Sequence, residues 1–350
     1  MASIRPFQRS DLSTVADLMR ANMRNWQHDE GFLANTLIDY PWAEEDLRSL
    51  VAVDDEGEVV GFVGAQVRRM TLDGRPLRGI CVSHLVAAPG KRAGPAGALL
   101  LSRLLSGPQD LSWSDSANKA VVRMWRTFGG HVDHTRVCDW MLVLRPARWL
   151  SGVAGTAVRR RSVGRREVPV GALPLRASPV MGRRAFPHPD PDVNSEDATV
   201  AAIVEHLAAT TAGVRLRVEY DQAYLDHIFR QVEAASAPLI RRLVRRGTRP
   251  IGWYAYLRLP AGVCRVLHLA ASGREGDAVL GQLIEDAKAD GRTVVTGRLE
   301  PGVEESLQAR LAVLGLARRP VIHSHSPDVS ALVGTVSTLL TQLDSEWFVT

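Results

Sequence analysis

The sequence predicts a mixed α/β protein built from two domains. Its 350 residues exceed what a single core of roughly 150 residues organises. Strand-like and helix-like runs alternate along it. One order (two strands, helix, strand, helix, strand) occurs in both halves. A hydrophobic content of 45% supplies real cores.

The first half opens with a short strand in Ile4-Arg-Pro-Phe and a helix that Ser10 or Asp11 can cap. Residues 50 to 65 read as a hairpin turning at Asp55-Glu56-Gly57. Ile80 to Val86 is strand-like, and Val86-Ala-Ala-Pro-Gly-Lys-Arg-Ala-Gly-Pro-Ala-Gly-Ala-Leu-Leu-Leu101 leads from it into an apolar helix. Pro95 suits the first helical position, where its missing N–H costs nothing. A loop rich in Gly, Pro and basic residues between a strand and a helix start can hold a phosphate. Its backbone N–H groups and the helix macrodipole converge on an anion. The alternative for this segment alone is an ordinary turn with surface cations. A helix, the strand Leu111–Ser114 and a further helix from Asn118 to Gly129 follow.

This order resembles the GNAT superfamily of N-acetyltransferases. The family's opening I-R-x-x-x-x-x-D matches Ile4, Arg5 and Asp11. Its pyrophosphate loop, R/Q-x-x-G-x-G/A, is matched by Lys91-x-x-Gly94-x-Ala96, with lysine in the first place. Aligning Arg92 there instead would put Pro95 at the central glycine. The later motif N-x-x-A-x-x-x-Y-x-x-x-G-F is matched at Asn118 and Gly129, with Trp125 at the tyrosine. The resemblance covers about residues 3–146. It implies a mixed, mostly antiparallel twisted sheet flanked by helices, and acetyl-CoA as donor.

It also implies site residues. Lys91, Arg92, Ala93, Gly94, Ala96 and Gly97 would take the diphosphate. Backbone around Leu85, Val86 and Ala87 would meet the thioester carbonyl, and Asn118 would contact the cofactor. The base position on the preceding strand falls to His84 and Ser83. His84 has an unperturbed pKa of about 6.5; the alternative is a buried strand residue bonded to backbone. Trp125 cannot replace a tyrosine as acid, because an indole N–H only donates a hydrogen bond. Trp26, Trp42 and Asp115 flank the acceptor side. The tryptophans can equally be packing residues, and Asp115 can equally cap the Asn118 helix.

Residues 147–195 are rich in Gly, Pro and Arg and read as a connector with one or two short helices. From 196 to 350 the pattern gives helices at Val200–Leu207, Tyr220–Phe229, Glu275–Asp290 and Val303–Leu314. Its strands are Pro250–Leu259, Gly262–Ala271, Thr293–Arg298 and Val321–Ser326. This is a degenerate second copy. Gly273 to Asp277 carries Glu275 and Asp277 where a pyrophosphate would sit, so one cofactor site per chain is expected.

Net charge is +5, and Lys91, Lys119 and Lys288 are the only lysines, an arginine bias typical of a GC-rich bacterial genome. Arginines cluster at 159–161, 165–166, 183–184 and 241–246. They read as solvated charge or as a nucleic-acid stripe, although no nucleic-acid recognition signature accompanies them. No run of about 18 apolar residues suggests a membrane span, and no apolar leader precedes the first strand. Cys81, Cys138 and Cys264 form neither a disulfide framework nor a metal motif, which suits a cytoplasmic enzyme without metal. The sequence thus predicts an acyltransferase acting on an amine of a small molecule, sugar or peptide. A Fem-like aminoacyltransferase using aminoacyl-tRNA and a non-catalytic acyl-CoA-binding scaffold are the alternatives. Oligomeric state is not encoded in these patterns.

Overall fold

The computed structural model describes residues 2–23, 26, 28–88, 95–149, 190–300, 302–310, 312–316 and 318–346. Numbered along the chain, the strands begin β1 (Ser3–Pro6), β2 (Leu50–Val53), β3 (Val59–Leu72), β4 (Arg75–Ala87), β5 (Leu111–Ser114) and β6 (His131–Val132). There follow β7 (Cys138–Val143), β8 (Val193–Asp197), β9 (Leu216–Val218), β10 (Leu239–Arg246) and β11 (Arg249–Arg258). The last are β12 (Val263–Ala271), β13 (Val294–Arg298), β14 (Val313–Leu316), β15 (Val321–Ser324) and β16 (Thr338–Leu339). Helices α1 (Leu12–Asn22), α2 (Glu30–Leu37), α3 (Ala96–Leu105) and α4 (Lys119–Thr127) belong to the first 137 residues.

Two compact units result, and each is woven from separate stretches of chain. The first comprises Met1–Val137, Val214–Ser236 and Arg318–Thr350; the second comprises Cys138–Gly213 and Ala237–Ala317. The linear halves 1–146 and 196–350 therefore do not coincide with the units.

The first unit's sheet runs β1-β2-β3-β4-β5-β15-β6, with β9 on the far end of β3 and β16 beside β9. Its neighbours are antiparallel except β4–β5 and β9–β16. A parallel pair needs a crossover, and α3 supplies it. Ala96, Leu100, Leu101, Leu104 and Leu105 recur at helical spacing and are buried. The hairpin β3–β4 closes through Asp73 and Gly74, at φ +52° and +82°, the pair of positive angles a two-residue type I′ turn requires. Strand β3 is buried along nearly its whole length, as a central strand covered on both faces must be. A core of Phe7, Val15, Met19, Leu33, Leu37, Val51 and Phe62 joins α1 and α2 to the sheet.

The second unit repeats the scheme as β14-β7-β13-β12-β11-β10-β8, with β12–β13 parallel. Helix Gly276–Ala289 buries Val279, Leu280, Leu283 and Ile284 in its core. In this sheet β7 holds the place that β15 holds in the first: each unit fills one strand position with a segment from the other end of the chain.

Several expectations are corrected. Residues 239–246 form β10 and not merely a charge cluster. Leu243 and Val244 are buried in it, while Arg242, Arg245 and Arg246 pair with Asp197, Glu196, Asp190 and Glu275. The helix placed at 303–314 stops at Ala309, because Val313 to Leu316 pairs antiparallel with β7. The helix near 220 runs from Gln222 to Ala235 and belongs to the first unit. The second sheet starts at Val193, inside the stretch read as connector. The rest of that stretch, residues 150–189, and the arginines at 159–184 lie outside the described residues. No helix among the described residues is long and apolar enough to cross a membrane.

Candidate active site

Strands β4 and β5 pair only at Gly79–Cys81 against Leu111–Trp113. Beyond that register the parallel ladder ends, although β4 runs on to Ala87. On its other edge β4 carries a bulge against β3: Phe62 faces Val86 and Gly64 faces Ser83, so His84 and Leu85 oppose Val63 alone. His84 absorbs the extra residue in the left-handed region, at φ +53°. A non-glycine residue held there costs about 1–3 kcal/mol and is characteristic of functional sites. Opposite it the backbones close up. A Cβ on Gly64 would lie 2.6 Å from Ser83 Oγ and 3.2 Å from its carbonyl oxygen.

The divergence opens a cavity of about 280 Å³. Val82 to Ala87 form one wall, and Ser114, Ser116 and Asn118 face it from the end of β5 and the start of α4. Asn118 caps α4, its Oδ1 accepting from Ala120 N at 2.9 Å and Val121 N at 3.0 Å. Trp125 also lines the cavity; it is fully buried, and its indole N–H has no hydrogen-bond partner among the described residues. Of the residues expected from the sequence, the fold brings Ser83, His84, Leu85, Val86, Ala87 and Asn118 together here.

His84 is buried, with Nδ1 2.8 Å from Ser83 Oγ and its ring edge-on to Trp26 at 5.1 Å. Burial, with the neighbouring His28 adding to it, brings its pKa down to about 3. The imidazole is therefore neutral at physiological pH and much weaker as a base than its ordinary pKa suggests.

The remaining expected residues are placed elsewhere. Trp26 packs against His84 and Phe32. Trp42 is buried, stacked on Tyr224 at 3.6 Å, and donates to Asp221 at 2.7 Å. Neither tryptophan lines the cavity. Asp115 is buried and does not cap α4, since Asn118 does; its backbone N–H points instead to Glu346. Lys91, Arg92, Ala93 and Gly94 lie outside the described residues. Pro95 stands at the N-cap of α3, one place earlier than expected, and Ala96 and Gly97 open the helix.

Glu346 is the residue that sequence reasoning missed. It lines the same cavity from the C-terminal segment and is buried. Its Oε2 accepts from Asp115 N at 2.9 Å, Ser116 N at 2.8 Å and Ser114 Oγ at 3.2 Å, whereas among the described residues Oε1 has a single 3.3 Å contact, with Ser114 Oγ. Burial, and then the charge of Asp115, push its pKa up to about 7. Nothing local marks this residue.

A buried network fixes the segment. Arg68 donates to the Asp344 carbonyl at 2.9 Å and lies 5.4 Å over the Tyr224 ring. Trp113 donates to Ser345 Oγ at 3.0 Å, and the Asp344 carboxylate accepts from Tyr220 and from Thr341.

In the second unit the corresponding strand-to-helix turn is filled by its own charges. Glu275 pairs with Arg246 at 2.8 Å and Arg249 at 2.5 Å, and Asp277 pairs with Arg310. Among the described residues no group of three or more candidate ligands could hold a metal.

Comparison with solved structures gives this arrangement a family likeness. A conserved protein of unknown function from Enterococcus faecalis superposes with a TM-score of 0.61 at 10% identity, covering 93% of this chain and 73% of that one. A GCN5-related N-acetyltransferase from Anabaena variabilis gives 0.60 at 12%, covering 96% and 75%. Eis1 from Mycobacterium abscessus gives 0.55 at 15%, covering 96% and 76%. The fold is the GNAT fold, in tandem. No protein-family model and no curated protein matches the sequence. The parallel pair β4–β5 of the first sheet and the parallel pair β12–β13 of the second occupy equivalent places in the two strand orders.

Proposed function

We propose that the first unit binds an acyl-CoA, acetyl-CoA in the first instance, and transfers its acyl group to an amine. The observation that carries this reading is the opening between β4 and β5, with the bulge at His84 on its wall. The residues fit such a donor. Backbone freed from the β5 ladder at Leu85 to Ala87 offers N–H groups to a thioester carbonyl. The head of α3 at Ala96 and Gly97 offers amides to the diphosphate, and Lys91 and Arg92, just before it in the sequence, offer charge. Asn118 stands on the facing wall.

The donor supplies an activated acyl carbon, and the chain supplies position and electrostatics. Holding a thioester and an amine in one small cavity turns a bimolecular encounter into an intramolecular one. Ser83 and the neutral His84 hold the bulge in shape and add no charge to it. The second unit, with Glu275 and Asp277 already paired to arginines, supports the first without a donor of its own.

Isothermal titration of the intact chain with acetyl-CoA tests this, followed by thiol-release assays with primary amines. The expected result is one donor site per chain and thiol release with at least one amine class. Absence of acetyl-CoA binding overturns the reading.

A further inference from the structure

Deepening that reading of the cavity, we infer that Glu346 is the proton acceptor of the site: its Oε1 receives the proton of a cationic primary amine before attack. Oε2 is held by two backbone N–H groups and one hydroxyl, so the carboxylate is fixed on its perch beyond β5. Oε1 keeps lone-pair capacity, and the residue lines the cavity that the β4 bulge also lines. Among the described residues no cation pairs with the carboxylate.

The titratable groups around it are Asp115 from the loop after β5, Cys81 and His84 from β4, and Asp344 two residues earlier in its own segment. His84 is neutral, and burial raises the Cys81 thiol well above its usual range, so neither competes for the proton near neutrality. A base near pH 7 is matched to this task, whereas one near 3 is not.

In the step, the ammonium N–H bond breaks and an O–H bond forms on Glu346, leaving a neutral amine with its lone pair. That nitrogen bonds to the acyl carbon while the C–S bond breaks, and the sulfur leaves with the electron pair. The acylated nitrogen still carries two hydrogens and gives one to the thiolate as it becomes the amide, and Glu346 returns its proton to solvent. The net products are amide, thiol and one proton.

The test combines the parent with Glu346→Gln, which keeps the acceptor oxygen for Asp115 and Ser116. Carboxyl ¹³C titration should show a group near pH 7 in the parent that is lost in the variant. Acetyl-CoA affinity by calorimetry should stay within about twofold. With primary alkylamines, thiol release should fall by about 10²- to 10⁴-fold in kcat/KM, and the acid limb near pH 7 should vanish. Glu346→Asp should keep part of the rate and the limb. A parent carboxyl that titrates at 4 to 5, or a folded Gln variant with parental kcat/KM and pH profile, overturns the inference. The parent titration decides the matter even if the variant does not fold. Failure of the parent to bind acetyl-CoA instead removes the acyl-transfer reading itself.

Discussion

His84 carries the cost of the bulge, and the identity of its side chain follows from that. The left-handed region at φ +53° admits Asn, Asp or His far more readily than a β-branched residue. His84→Val should therefore lose about 1–2 kcal/mol more stability than His84→Asn, read from urea midpoints at equal m. Equal losses would show that the backbone angle is not what selects the residue. Gly64 answers the same bulge from β3. Gly64→Ala forces a methyl to 2.6 Å from Ser83 Oγ and should destabilise by about 1–3 kcal/mol. A Ser83→Ala background should relieve only part of this, since the Ser83 carbonyl stays 3.2 Å away. Full relief in the double variant would contradict the backbone part of that contact.

Glu346 leaves a signature in stability as well as in rate. Its folded pKa, about 7, lies above the ordinary glutamate value of 4.5. Protonation therefore favours the folded state, and the stabilisation is complete below pH 4.5 and is lost as pH rises through 7. Tm should fall across that window, and Glu346→Gln should flatten the fall. A parental slope in the variant would place the titrating group elsewhere.

At the scale of elements, most of the first unit's local structure was legible in the sequence. Leu100 to Leu105 announced the buried stripe of α3, the run to Val86 the strand β4, and the run after Asn118 the helix α4, although its cap is Asn118 itself and not Asp115. These signals are local, set by propensity and by periodicities of 2 and 3.6 residues. What failed was longer in range. Strand β10 hid because arginines occupy half of its eight positions, and their ion pairs to β8 and the adjoining helix appear only after pairing. Strand β14 was absorbed into a helix because the vacant edge of β7 that captures it lies about 175 residues earlier. The site divided along the same line. Its β4 wall and Asn118 could be read, but Glu346 meets Ser114 across a separation of 232 residues that no spacing encodes.

At the scale of the molecule, the weave of the chain decides what can be separated. The first unit takes β9, β15, β16 and Glu346 from beyond residue 213, so residues 1–146 alone lack part of its sheet and the Glu346 carboxylate that lines the cavity. That fragment should show little cooperative unfolding and no acetyl-CoA binding. A fragment with a sharp transition and parental affinity would contradict this account of the unit. The central claim, that the opening beside β4 is an acyl-donor site and that the second unit has none, rests most directly on one calorimetric titration of the intact chain with acetyl-CoA. Saturable binding at one equivalent per chain is the expected result. No binding, or two equivalents, would contradict it.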